Sequence, residues 1–152
     1  MKTPRLLSCP DQRAPKRHSA RVSGIVVASL LLGAIGAVRA ELPSASAEAI
    51  RQALGSGHPT VIDVGARTCI PCKKMAPILE SLANTYRGQA SVLFVDLHAD
   101  EATAKTLRIQ MIPTQIFFDA QGQEVKRHIG FMDEQAILAE FKTLGVDAQG
   151  AE

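Results

Sequence analysis

The run Thr60-Val61-Ile62-Asp63-Val64-Gly65-Ala66-Arg67-Thr68-Cys69-Ile70-Pro71-Cys72-Lys73-Lys74-Met75 decides how this chain folds. Its first part, Thr60 to Val64, is β-branched and apolar apart from Asp63, the pattern of a buried strand. After Cys72, the stretch Lys73-Lys74-Met75-Ala76-Pro77-Ile78-Leu79-Glu80-Ser81-Leu82 spaces its apolar residues as a helix does. Cys69 and Cys72 therefore stand where a helix begins. A cysteine in the first turn of a helix meets unpaired backbone N–H groups and the positive end of the macrodipole, and both favour thiolate over thiol. Cys69 is on this reading the reactive thiol. Cys72, about one turn deeper, is in reach of it for a small disulfide ring and is the resolving thiol.

Two cysteines at this spacing also make half of a zinc site, which needs two further ligands at matching spacing. The remaining cysteine is Cys9, and His18, His58, His98 and His128 are scattered singly. A metal site and an inert structural pair are therefore the weaker readings, and the dithiol needs no metal or organic cofactor.

Asp63 is the odd residue of its strand. Among Val61, Ile62 and Val64, its carboxyl is expected near the base of the dithiol helix, where desolvation disfavours the charged form and where it could exchange a proton with Cys72. The alternative is that it bonds loop backbone or faces solvent.

Outward from this run, Ser46 is expected to cap a helix through Glu48, Ile50 and Leu54 that ends at Gly55. Pro77 is expected to kink the helix after Cys72, and Gly88 to end it. Ser91 to Leu97 reads as a second buried strand, parallel to the first in a βαβ unit. Asp100 to Leu107 reads as a short helix and Gln115 to Asp119 as a strand. The turn at Ala120-Gln121-Gly122-Gln123 sends the chain back as a hairpin strand over Glu124 to Ile129. Asp133 caps a last amphipathic helix through Ile137, Leu138, Phe141 and Leu144, closed by Gly145.

The 152 residues suffice for one domain with a real core, and a formal net charge of +2 gives no nucleic-acid surface. The basic residues Lys2, Arg5, Arg13, Lys16, Arg17 and Arg21 crowd the first stretch, ahead of the uncharged run Val22 to Val38. This is a targeting pattern, either a signal peptide cleaved after Val38-Arg39-Ala40 or an uncleaved anchor over residues 22–38. Either way, the chain beyond Ala40 is expected to cross the membrane into a periplasmic or other extracytoplasmic space, soluble or anchored. Cys9 precedes the apolar run, so it is no lipoprotein cysteine and plays no part in the chemistry. The exported part then holds two thiols, the number for one redox couple. The expected divisions are a signal or anchor over 1–40, a connector and first helix over 41–58, the main domain over 59–146 and a polar tail over 147–152.

Strand, CxxC helix, strand, helix, Ile-Pro-Thr, hairpin and final helix fall in an order that resembles the thioredoxin superfamily. The stretches that carry the resemblance are Val61-Ile62-Asp63, Cys69-Ile70-Pro71-Cys72-Lys73, Met75-Ala76-Pro77-Ile78-Leu79, Arg108-Ile109, Ile112-Pro113-Thr114 and Gly130. The resemblance implies an α/β thioredoxin fold, a central mixed β-sheet flanked by helices, and a thiol-disulfide oxidoreductase. It implies a cis Pro113 facing the dithiol, Ile112 offering backbone groups to an extended substrate, and a substrate surface that includes Ile70 and Pro71. It also implies Asp63 as proton acceptor for Cys72. Thr68 and Ile70 replace the family's usual Trp and Gly beside the first cysteine, and Phe94 stands where a lysine often accompanies the buried acid, so Asp63 should titrate higher. Arg67 and Lys73 flank the motif and are expected to favour the thiolate further. Pro71 resembles the reducing members, so the expected reaction is reduction of protein disulfides, with targets such as apocytochrome c. A membrane thiol electron transporter would then resupply electrons. The rivals are a metal- or peptide-binding module of this fold without turnover, and a disulfide oxidase or isomerase.

Overall fold

The computed structural model describes residues 41–147. The expected signal or anchor, Cys9 within it, and all of the tail beyond Asp147 lie outside the described residues. In chain order the elements are α1 (Ala47–Leu54), β1 (Thr60–Gly65), α2 (Ile70–Thr85), β2 (Ser91–Asp96), α3 (Glu101–Thr106), β3 (Thr114–Phe118), β4 (Glu124–Ile129) and α4 (Glu134–Thr143). Side-chain caps start α1, α3 and α4. Ser46 Oγ accepts the Ala49 N–H at 3.2 Å, Asp100 Oδ1 that of Thr103 at 2.9 Å, and Asp133 Oδ1 that of Ala136 at 2.8 Å.

The four strands form one mixed sheet in the order β2-β1-β3-β4. β1 runs parallel to β2 and antiparallel to β3, and β3 pairs antiparallel with β4, in keeping with the expected crossover and hairpin. Alternation along the strands sorts side chains to two layers. Val61, Val92 and Phe117 pack with Met75, Leu79 and Leu82 of α2 and Ile137 and Phe141 of α4. Ile62, Val64, Val95, Ile116 and Phe118 pack on the other face with Ile50 of α1 and Ala104 of α3. With both faces covered, β1 is buried at every residue, which is why its sequence reads as a nearly unbroken apolar run.

Two local details differ from the expected course. α2 continues past Pro77, as its apolar stripe implied, but stops at Thr85, ahead of Gly88. Tyr86 is its C-cap: its N–H still bonds Leu82 O, its ring meets Phe141 edge-on at 5.2 Å, and the chain then turns through Gly88 at φ +82°. The connector also does more than connect. Ser44 bridges to Phe94, Ala45 N–H donates to Phe94 O at 2.7 Å, and Ser44 Oγ accepts the Asp96 N–H at 2.9 Å, so this segment lies along β2. Among the described residues, no helix is long and apolar enough to cross a membrane.

Candidate active site

Cys69 is the N-cap of α2, in extended conformation, and Cys72 lies in the first turn. The two are joined as a disulfide with their Cα atoms 5.2 Å apart. Pro71, at the second helical position, has no N–H to offer, and the Lys73 N–H is taken by Cys69 O at 3.0 Å. Of the N–H groups that an N-cap side chain reaches, that of Cys72 is left for a reduced Cys69 sulfur, which, with the helix dipole, favours its thiolate. Exposure separates the pair: Cys69 is half-buried, whereas Cys72 is 5% exposed.

Beneath Cys72 lies β1. Gly65 comes so close that a Cβ built on it would stand 3.1 Å from Cys72 Sγ and 3.2 Å from the Phe94 ring, so a glycine is what lets helix and strand meet here. Asp63, two residues earlier, shares that face of the strand. It has no solvent exposure, and its Oδ1 accepts a hydrogen bond from Gln115 Nε2 at 2.7 Å. Gln115 is its partner across the β1–β3 ladder, and Phe94 its partner on β2. Burial pushes the Asp63 carboxyl up from 3.8 to about 6, with the Gln115 bond pulling the other way. The apolar setting expected from Phe94 is therefore present.

Pro113 follows a cis Ile112–Pro113 bond. The register of β1 with β3 ends at Val64 and Thr114, one residue after Pro113, which is itself buried. Gly130 N–H donates to Pro113 O at 2.8 Å. Ile70, Met111 and Phe131 are exposed apolar side chains, Ile70 to 73%, while Pro71 is exposed and Ile112 half-buried.

The Arg67 guanidinium is engaged by the Glu41 carboxylate, by Leu42 O at 2.6 Å and by the Phe94 ring at 4.8 Å, contacts that tie it to the connector. Behind Cys72, a cavity of about 20 Å3 is lined by Leu42, Arg67, Lys73, Ala76 and Phe94, enough for one water. Among the described residues, no group of three or more His, Cys, Asp or Glu side chains is placed to hold a metal ion.

The family model described as thioredoxin matches residues 42–143. The chain belongs to the thioredoxin family. Over 89 residues it is 40% identical to the thioredoxin of Mycolicibacterium smegmatis, covering 57% of this chain and 79% of that one. It is 38% identical over 85 residues to the bifunctional thioredoxin reductase/thioredoxin of Mycobacterium leprae, but this is 56% of this chain and only 18% of that longer protein. In fold it is similar to a mutant thioredoxin of Halobacterium salinarum, with a TM-score of 0.62 and 23% identity over 72% of this chain and 93% of that one. This thioredoxin-family chain is a thiol-disulfide oxidoreductase with Cys69 and Cys72 as its redox pair.

Reading the sequence missed Gln115, Met75 and Gly65 as parts of the site. Gln115 carries a signal in hindsight, a lone amide heading the apolar run Ile116-Phe117-Phe118.

Proposed function

We propose that this thioredoxin-family chain is exported, reduces protein disulfides outside the cytoplasm, and is re-reduced by a membrane carrier of thiol electrons. The observation that carries the reducing mechanism is the unequal placement of two sulfurs on one helix start, Cys69 at the rim and Cys72 buried over β1.

In the reduced chain, Cys69 thiolate attacks a target disulfide. A Cys69–target bond forms, the target's own S–S bond breaks, and one target sulfur leaves with the electron pair. Cys72 then loses its proton to Asp63 and attacks Cys69 Sγ. The Cys69–Cys72 bond forms, the second target sulfur leaves, and the target has gained two electrons. On this reading an extended target segment lies on the exposed Ile70 and Pro71 and the half-buried Ile112, with the buried Pro113 shaping the backbone there. Pro71 ahead of Cys72, as in reducing members, supports this direction.

Export is supported by the basic stretch up to Arg21, the uncharged run Val22 to Val38 and the Val38-Arg39-Ala40 ending. A reductant in such a compartment needs electrons from elsewhere, hence the membrane carrier, and apocytochrome c thiols are targets of fitting chemistry. Equilibrating the purified chain with glutathione buffers tests the direction. The reduction potential is expected to be more negative than about −150 mV, and a value at or above that would make the chain an oxidant.

A further inference from the structure

We infer that Gln115 is a positioning residue for the proton step: it forms with Asp63 a buried amide–carboxyl pair that holds the proton taken from Cys72. This rests on the proposal that Asp63 is the acceptor.

Both side chains are free of solvent and face each other across β1 and β3. Gln115 Nε2 donates to Asp63 Oδ1 at 2.7 Å and to Met75 Sδ at 3.3 Å, so the amide is fixed between the sheet and α2. Among the described residues, two buried polar side-chain atoms are left without a partner, Asp63 Oδ2 and Gln115 Oε1. Each is an acceptor while Asp63 is ionised, and an unpaired buried acceptor is destabilising. One proton relieves both. A protonated Oδ2 is a donor, Oε1 is an unclaimed acceptor on the same partner, and acid and amide then close a doubly hydrogen-bonded ring. That is the state after transfer: the S–H bond of Cys72 breaks, an O–H bond forms at Oδ2, and the electron pair stays on the Cys72 sulfur to attack Cys69.

The surroundings leave this task to Gln115. β2 presents Phe94 to Asp63, while from α2 Met75 accepts from Gln115 and the titratable Cys72 packs on Gly65, two residues further along the same face of β1. The charged Glu41, Arg67 and Lys73 stand around the cavity behind Cys72, and the Asp63 shift arises from burial and the Gln115 bond alone.

The test tracks release of a target thiol from a Cys69 mixed disulfide against pH, in the full chain and in Asp63→Asn and Gln115→Leu. The unsubstituted chain is expected to show a midpoint near 6. Asp63→Asn should abolish that midpoint and slow release. Gln115→Leu removes the donor to the carboxylate, whose charge-assisted bond is the stronger of the two in the ring, so the midpoint should rise by at least about one pH unit. An unmoved midpoint in Gln115→Leu beside a slowed Asp63→Asn overturns the role of Gln115 and leaves Asp63 as acceptor. An unaltered Asp63→Asn overturns both. In the unsubstituted chain, the carbon resonances of Asp63 Cγ and Gln115 Cδ should titrate together, and a Gln115 Cδ that stays still while Asp63 titrates overturns the pair without any variant.

Discussion

The two faces of the sheet are made by the same strands and do opposite things. Toward α1 and α3 the strands present Ile62, Val64, Val95, Ile116 and Phe118, an unbroken apolar layer. Toward α2 and α4 they present Val61, Val92 and Phe117, but Asp63, Gly65 and Gln115 interrupt that layer at the end under Cys72. The first face holds the fold together. The second gives up part of its apolar packing to a buried carboxyl and its amide partner, on the face where Gly65 meets Cys72. This has a thermodynamic sign. With its folded value at about 6 and its ordinary value at 3.8, Asp63 binds a proton more tightly in the folded chain. Its neutral form is therefore tolerated below about pH 4, and stability falls as pH rises toward 6, by roughly 3 kcal/mol once ionisation is complete.

Substitutions on each face sharpen that contrast. The largest loss is expected from Ile116→Ala on the apolar face, which should destabilise the oxidised chain by about 2–5 kcal/mol in urea denaturation while leaving the alkylation rate of the reduced Cys69 unchanged. Altered Cys69 reactivity there would mean that the faces are not separable. Asp63→Asn on the other face should do the reverse, raising stability by about 2–3 kcal/mol at pH 8 and hardly at all at pH 4, while slowing turnover. A gain independent of pH would contradict the buried ionised carboxyl. Gly65→Ala is expected to be the mildest, a loss of about 1–2 kcal/mol, because the new methyl meets Cys72 at 3.1 Å and Phe94 at 3.2 Å and both are held in place. Unchanged stability and unchanged disulfide exchange would show that the helix start yields there.

Legibility in the sequence divides along the same line. Local patterns were legible: the buried strand at Thr60 to Val64, the caps at Ser46 and Asp133, the dithiol at a helix start, and the hairpin turn at Gly122 with φ +73°. The partner of Asp63 was not, because Gln115 lies 52 residues away and only the β1–β3 register brings the two together. The partners of Arg67 were not legible for a related reason: Glu41, Leu42 and Phe94, which engage its guanidinium, are brought in by the fold. The packing of Tyr86, the C-cap of α2, on Phe141 of α4 is likewise a contact the local sequence did not show.

The most direct test of the unequal dithiol is alkylation of the fully reduced chain with a limiting amount of iodoacetamide at neutral pH, followed by peptide mass spectrometry. Label on Cys69, faster than on a free thiol, with Cys72 left unmodified, is the result expected of a thiolate at the helix N-cap above a buried partner. Equal labelling of both cysteines, or label on Cys72 first, would contradict it.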